Sequence, residues 1–248
     1  MTSVAVPPTT FLSRDGHVAV RLSARSLHLI ECGDASIQVA PLPHPAHLAG
    51  IAPSNEYIVI AGMREFSLLR TRRVADGAAF TVPLAASVSR LQAGGEGLVW
   101  GVAPATSATG QPVSYLQTWT ADGLKPVWPG LGQSLGARVV DRLLPHPAAP
   151  RVLISAESDD QPFVALLELG TSGELNELWN ARDVGLRANG FAVPVGNDCI
   201  GVYDLAEVAL VCAVDDRDWR VRGRRPLPGG ASGAWLVSSP TTQCCAGS

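Results

Sequence analysis

The 248-residue sequence is poor in charge and has no long apolar run, and each shortage excludes a class of protein. Only 17% of its residues are charged, lysine occurs once (Lys125), and 19 basic against 22 acidic residues give a net charge of -3. This balance argues against a general nucleic-acid binder. No apolar run reaches the roughly 18 residues that span a bilayer, and the N-terminus has no basic segment followed by an apolar one. We expect a soluble intracellular protein, cytoplasmic or nuclear.

Cysteine is sparse, and its spacing is not that of a metal or disulfide framework. Five cysteines occur, an odd number with no C-x-x-C motif: Cys32, Cys199, Cys212, Cys244 and Cys245. His44 and His47 have H-x-x-H spacing, but Pro45 between them argues against a helix that would aim both imidazoles at one ion. We therefore expect reduced thiols, no metal and no cofactor.

What the sequence does contain is turns that separate short apolar runs. It is 46% apolar, with 25 glycines and 19 prolines, which is typical of a compact, turn-rich protein. Runs such as "HVAVRL", "YIVIAG" and "RVLISA" recur at intervals of 40, 40, 54, 47 and 35 residues, starting at His17, Tyr57, Gly97, Arg151, Asp198 and Gly233. Four-stranded propeller blades repeat about every 40 to 50 residues, so these intervals indicate propeller blades. The longest interval contains "APATSATGQPVS" (Ala103–Ser114), which we interpret as a surface loop.

Each of the first five runs is followed by a second β-like run, for example "EFSLLR" and "FVALLEL". Tyr57–Ala61 and Val208–Val214 are almost continuously apolar, which predicts inner strands buried on both faces. Asp218–Pro226 alternates instead, which predicts an outer strand with one solvated face. The runs therefore indicate blades with buried inner and half-exposed outer strands.

Two fragments, "LLPHPAAPRVLISAESDDQPFVALLELG" and "AGIAPSNEYIVIAGMREFSLLR", resemble degenerate repeats of the WD40-like β-propeller superfamily. In both, a turn, an apolar strand, a polar turn and a second apolar strand follow one another. The resemblance covers nearly the whole chain, although no repeat carries both a Gly-His and a terminal Trp-Asp pair. Within the superfamily, the order of "APSNEYIVIAG", "LPHPAAPRVLIS" and "VGNDCIGVYDL" is similar to propellers of scaffold nucleoporins. The resemblance implies a platform for protein partners, and its narrower form implies a nuclear envelope complex.

We predict an all-β fold, a single β-propeller of five four-stranded blades over residues 1–239, followed by an unstructured tail, 240–248. The sixth run, "GAWLVSS", leaves only nine residues after it. These are too few to finish a blade at roughly 5 residues per strand plus turns. Two alternatives stay open: the run closes a five-bladed ring by pairing with N-terminal material, or it is an incomplete sixth blade whose open edge accepts a strand or blade from a partner.

Two patterns raise catalytic alternatives. "GQSLG" matches the nucleophile elbow around Ser134, but Pro126 and Pro129 break the strand that an elbow needs, so we interpret it as an inter-blade loop. An axial-pocket carbohydrate-active enzyme needs two carboxylates that flank the scissile bond. Most acidic residues lie in turns, and Asp141 and Glu157 are the best-placed pair.

We predict a non-catalytic scaffold that mediates protein–protein interactions as a subunit of a larger assembly. Alternation in "DWRVRGRRP" places Arg220, Arg222 and Arg224 on one face of an outer strand. The same row favours an alternative, an Arg-dependent RNA- or phosphate-binding module, whereas its plain structural role is a charged edge that resists aggregation. The predicted partner-binding residues are Arg217, Trp219, Arg220, Arg222, Arg224, Arg225 and Trp235.

Overall fold

The structure is a computed structural model of the chain. It describes residues 9–13, 15–76, 79–157, 163–181, 192–194, 199–203, 207–213, 219–226, 235–238 and 243–246. The chain divides into two compact units, Met1–Gly136 and Ala137–Ser248. Within the described ranges no helix has the length and apolarity that a bilayer span requires.

The first unit contains three antiparallel sheets, in which the strands mostly follow chain order. The first sheet consists of β1 (Thr9–Leu12), β2 (Val18–Leu22), β3 (Ser26–Glu31) and β4 (Ser36–Pro41). The second consists of β5 (Leu48–Ile51), β6 (Tyr57–Ala61), β7 (Glu65–Arg70) and β8 (Ala79–Pro83). The third consists of β9 (Arg90–Ala93), β10 (Leu98–Thr106) and β11 (Pro112–Thr120), together with two short strands. These are β12 (Lys125–Pro126) and β13 (Gln133–Ser134), and each of them pairs with β11. Two short 3₁₀ segments accompany them, Thr71–Asp76 and Gly95–Gly97.

Apolar side chains between neighbouring sheets form the core of the first unit. One cluster joins Val20 and Leu29 of the first sheet to Ile58 and Ile60 of β6. A second cluster joins the opposite face of β6 to the third sheet, and it includes Phe66, Val99 and Trp119. All five residues of β6 are buried, which confirms the prediction of an inner strand at Tyr57–Ala61. The continuous apolar run exists because β6 packs against a sheet on each face.

The second unit also consists of antiparallel sheets in chain order. One contains β14 (Val139–Pro145), β15 (Arg151–Glu157), β16 (Phe163–Leu169) and β17 (Leu175–Asn180). Another contains β18 (Ala192–Pro194), β19 (Cys199–Tyr203), β20 (Glu207–Ala213) and β21 (Trp219–Pro226), and β22 (Trp235–Ser238) pairs with β23 (Gln243–Ala246). The strand β23 lies inside 240–248, where the sequence predicts an unstructured tail. The sixth run is therefore one half of a hairpin, while ring closure and the domain limit at 239 stay predictions.

The predicted loop at Ala103–Ser114 is wrong. β10 and β11 are nine-residue partners whose pairing continues to Thr106 opposite Pro112. Only 107–111 form the turn, which closes with the Ser107 N–H donating to the Gln111 carbonyl at 2.8 Å. Small polar composition suggested a loop, but continuous cross-strand pairing outweighs such weak local preferences.

A carboxylate ties the β1–β2 turn to the β5–β6 turn. Asp15 accepts hydrogen bonds from the Ser13 hydroxyl at 2.6 Å, from the His17 N–H at 3.0 Å and from Asn55 Nδ2 at 2.8 Å. Burial alone would raise the pKa of Asp15, but these hydrogen bonds outweigh it and hold the pKa below that of an ordinary aspartate. The ionised carboxylate therefore fastens the first sheet to the second.

Because its folded-state pKa is lowered, Asp15 stabilises the fold above its unfolded-state pKa, and this contribution is lost as the pH falls through the folded-state pKa. We expect Asp15→Asn to reduce the free energy of unfolding at neutral pH and to reduce it progressively less in acid. Urea unfolding of both proteins at neutral pH and near pH 3 measures this difference. Asp122→Asn removes the same charge from an exposed turn in the same unit, and equal pH dependence of the two variants would contradict the role of Asp15.

Candidate interaction surfaces

The outer strands β4 and β8 expose apolar side chains at uncharged sheet edges. In β4, Ile37 is 60% and Val39 is 53% exposed, and in β8 Phe80 is 52% exposed. Neither strand contains a charged residue, and each is the last strand of its sheet. Natural edge strands are usually protected by charge, so these edges are candidates for a covering partner. In the sequence, the signal of this edge is "SIQVAP", an alternating segment without charge.

The arginine strand β21 lies at the edge of its sheet, which confirms the predicted outer strand. The predicted alternation is wrong. The register pairs Leu210 with Gly223 but Val211 with Val221, so Arg222 is the extra residue of a β-bulge. A bulge reverses the alternation beyond it, so the positions of Arg220 and Arg224 do not share one face.

The predicted partner-binding residues are only partly described. Arg222, Arg224 and Arg225 are exposed at the end of β21. Trp219 and Arg220 lie at the start of β21, Trp235 begins β22, and Arg217 lies outside the described residues. Their role in binding stays a prediction.

The predicted catalytic candidates lie in β13, β14 and β15. Ser134 lies exposed in β13 opposite Tyr115, and its Oγ accepts a hydrogen bond from the Gly136 N–H at 3.2 Å. It belongs to a two-residue edge strand, whereas a nucleophile elbow lies between a core strand and a helix. Asp141 is exposed at a bulge in β14, and Glu157 is the last residue of β15, opposite Val139. The carbohydrate-active alternative stays a prediction.

His44 is a structural residue of the connection between the first and second sheets. It is only 5% exposed, with Nδ1 at 3.1 Å from the Pro45 carbonyl oxygen and Nε2 at 2.9 Å from Ser67 Oγ. Because a carbonyl only accepts, Nδ1 donates to Pro45, and in the neutral ring Nε2 accepts from the Ser67 hydroxyl. Ser67 in turn lies 2.7 Å from Thr81 Oγ1 on β8. Both ring nitrogens are occupied, whereas His47 is exposed and faces the Val88 carbonyl oxygen at 3.4 Å, so the two histidines do not converge on an ion.

Comparison with known proteins supports the fold and no narrower assignment. No protein-family model and no curated protein matches the chain. Among solved structures, the chain is similar to the WD40 domain of SCAP from fission yeast, with a TM-score of 0.57, 10% identity and coverage of 91% of this chain and 54% of that one. It is also similar to a functionally unknown protein from Desulfotomaculum acetoxidans, with a TM-score of 0.56, 10% identity and coverage of 81% and 62%.

A third similar structure is the Pyrococcus horikoshii acylaminoacyl peptidase, with a TM-score of 0.55, 10% identity and coverage of 86% of this chain and 39% of that one. The chain thus spans less than two thirds of each of these proteins. Together with the four-stranded antiparallel sheets, the likeness establishes an all-β fold of the WD40-like β-propeller type. This confirms the all-β, propeller-type fold predicted from the repeats, while the superfamily, the count of five blades and the nucleoporin resemblance stay predictions.

Proposed function

We propose that the protein is a non-catalytic interaction platform that binds other protein subunits through the outer strands of its sheets. The observation that carries the proposal is the uncharged edge strand β4, on which Ile37 and Val39 are more than half exposed. An edge strand offers unpaired N–H and C=O groups, and a partner strand or apolar surface would cover both the backbone and the two side chains. The edge of β8, with Phe80, adds a second such surface.

The arginine end of β21 supports a second candidate, an RNA- or phosphate-binding module. Arg222, Arg224 and Arg225 are exposed together, and guanidinium groups bind phosphates bidentately. Such binding falls steeply with salt, whereas an apolar edge contact does not. The net charge of -3 favours a protein partner.

The test is affinity purification of the tagged full-length chain from its native cell, with quantitative mass spectrometry of co-purifying proteins. We expect the double variant Ile37→Lys/Val39→Lys to reduce recovery of the main partner by about tenfold or more, because two lysines would be buried unpaired in the interface. Repeating the wild-type purification at raised salt separates apolar from arginine-dependent binding.

Thr10→Lys is the matched control, since it adds charge at an exposed position on the opposite edge strand of the same sheet. It should leave recovery unchanged. If the folded wild-type chain purifies alone as a monomer, the platform proposal is contradicted. It is also contradicted if the β4 double variant retains the main partner in full.

A further inference from the structure

The outer edge of β8 is open along its length. β8 is the last strand of the second sheet, and it pairs with β7 on its inner side, from Glu65 opposite Pro83 to Leu69 opposite Ala79. Among the residues that the structure describes, no backbone hydrogen bond reaches β8 from its other side. The strand "AFTVP" carries no charge, which is the usual protection of such an edge. The edge is therefore available for pairing with a further strand.

The ladder with β7 determines which backbone groups of β8 point outward. The Leu84 N–H donates to the Arg64 carbonyl oxygen at 2.8 Å, and this pair continues the register of β7 and β8 by one step. Hydrogen-bonded and non-hydrogen-bonded pairs alternate along an antiparallel ladder. Counting back from Leu84, Ala79 and Thr81 belong to non-hydrogen-bonded pairs. Their N–H and C=O groups therefore point away from β7, toward an incoming strand.

A large apolar side chain stands between these two outward positions. Phe80 lies opposite the buried Leu68 of β7, yet it is itself 52% exposed. Aromatic side chains bury a large area on association and form favourable pairs with other aromatic rings across strands. The edge of β8 thus combines free hydrogen-bonding groups with a half-exposed phenylalanine at their centre.

A second copy of the same strand fits this edge. If two copies pair antiparallel about a two-fold axis at Phe80, Ala79 of each copy lies opposite Thr81 of the other, and all the outward groups of both residues are used. Phe80 then lies opposite Phe80 in a non-hydrogen-bonded pair, where side chains are closest. A register centred on Thr81 would instead place Pro83, which has no N–H, opposite Ala79.

No charge opposes this pairing. Residues 77–83, "GAAFTVP", would face one another across the two-fold axis, and none of them is charged. Edge strands that must stay apart usually carry charges that repel a second copy. The net charge of the whole chain is only -3, so overall repulsion between two copies is weak as well.

We propose that the protein forms a two-fold symmetric dimer in which β8 pairs antiparallel with β8 of a second copy and Phe80 packs against Phe80. The two second sheets then form one continuous sheet. This inference rests on the proposed function in taking the outer strands as interaction surfaces. It names a second copy as the partner at β8 and leaves β4 to other subunits.

The oligomeric state of the purified full-length chain tests the proposal, measured by sedimentation equilibrium over a range of concentrations. A contact between two strands is small, so we expect the average mass to equal that of the monomer below about 1 μM and to approach twice that value at about 100 μM or above. Phe80→Lys and Phe80→Glu each place two like charges opposite one another, and each should weaken the dimer by about tenfold or more.

Mixing the two variants tests the register itself. Because residue 80 faces itself only across the proposed two-fold axis, an equimolar mixture of Phe80→Lys and Phe80→Glu should pair Lys with Glu and restore dimers that neither variant forms alone. Ile37→Lys is the matched control, since it adds the same charge at a comparably exposed apolar residue of the outer strand β4. It should leave the dissociation constant within about twofold of wild type, as expected for a distant site.

Three results would overturn the inference. They are a wild-type chain that stays monomeric at all concentrations, a dimer that Phe80→Lys retains in full, and a mixture of the two variants that stays monomeric. Phe80 is half exposed, so both variants should fold, and their circular dichroism spectra should match that of the wild type.

The two proposals fail separately. If the β4 double variant loses the main partner while the wild-type chain stays monomeric at high concentration, the platform stands and the β8 dimer falls. If the variant mixture restores dimers while no partner depends on β4, the platform proposal falls and the β8 dimer stands.

Discussion

Phe66→Ala is expected to lower the free energy of unfolding by about 3–5 kcal/mol, the loss typical of a buried phenylalanine truncated to alanine. Phe66 is fully buried on β7 and packs against Trp119, with ring centroids 5.0 Å apart and planes inclined at 51°. The pair joins the second sheet to the third, so truncation leaves a cavity between two sheets. The surrounding side chains can relax into such a cavity only in part, so the loss of packing remains. Urea unfolding followed by tryptophan fluorescence and circular dichroism measures the change.

Phe80→Ala is the control for that experiment. It is the same substitution on the next strand of the same sheet, but its side chain is 52% exposed. We expect a change within about 0.5 kcal/mol, as for surface substitutions in general. Equal losses from the two variants would show that the inter-sheet packing does not hold the unit together.

Gly62→Ala is expected to destabilise the protein by about 1–3 kcal/mol, the usual cost of forcing extra volume into a packed site. A methyl group at Gly62 would overlap the Pro45 carbonyl oxygen and would lie 3.0 Å from His44 Nδ1. It would therefore lengthen the hydrogen bond between His44 and Pro45. Because the imidazole ring would be displaced, the hydrogen bond between His44 and Ser67 would be disturbed as well. Thermal unfolding measures the loss of stability, and the histidine ring resonances in an NMR spectrum report whether the bond is disturbed.

Gly33→Ala provides the comparison, since a methyl group there meets nothing within 4 Å. Its effect on the unfolding temperature should be close to zero. If Gly62→Ala were equally harmless, the close approach of the inter-sheet connection to Gly62 would not be required for the fold.

The inner strands could be predicted from the sequence because burial on both faces leaves a continuous apolar run. Tyr57–Ala61 is such a run, and each pairing of a first and second run in the sequence corresponds to a central hairpin, for example β6 with β7 and β15 with β16. The repeat spacing then indicated the propeller type. The apolar run of an inner strand is a strong signal because the strand is buried against a neighbouring sheet on each face, and both faces therefore require apolar side chains.

The outer strands could not be read in the same detail. One face of an outer strand is solvated, so its composition is only weakly constrained. A single extra residue also shifts the alternation of inward and outward positions, and the amino-acid composition does not reveal it. Arg222 is such a residue, and the bulge at it overturned the predicted arginine row. The β10–β11 hairpin shows the converse error, because its alanines, serines and threonines are compatible with a loop and with paired strands alike.

The cavity beside β12 was beyond sequence reasoning for a different reason. Pro126 and Pro129 predict an irregular outer strand, but not that a cavity walled by Trp119, Leu124 and Trp128 would lie beside it. The uncharged β4 edge was readable, since "SIQVAP" contains no charge, yet its exposure depends on which neighbouring segments cover it.

The solitary lysine has a consequence for chemical labelling. An amine-reactive reagent finds one side-chain target in this chain, Lys125, and that target lines the cavity walled by Trp119, Leu124 and Trp128. Acylation there would remove the cavity's positive charge, as natural lysine acetylation does. The rate at which the unaltered protein is acylated at Lys125 thus becomes a direct readout of whether the cavity is occupied.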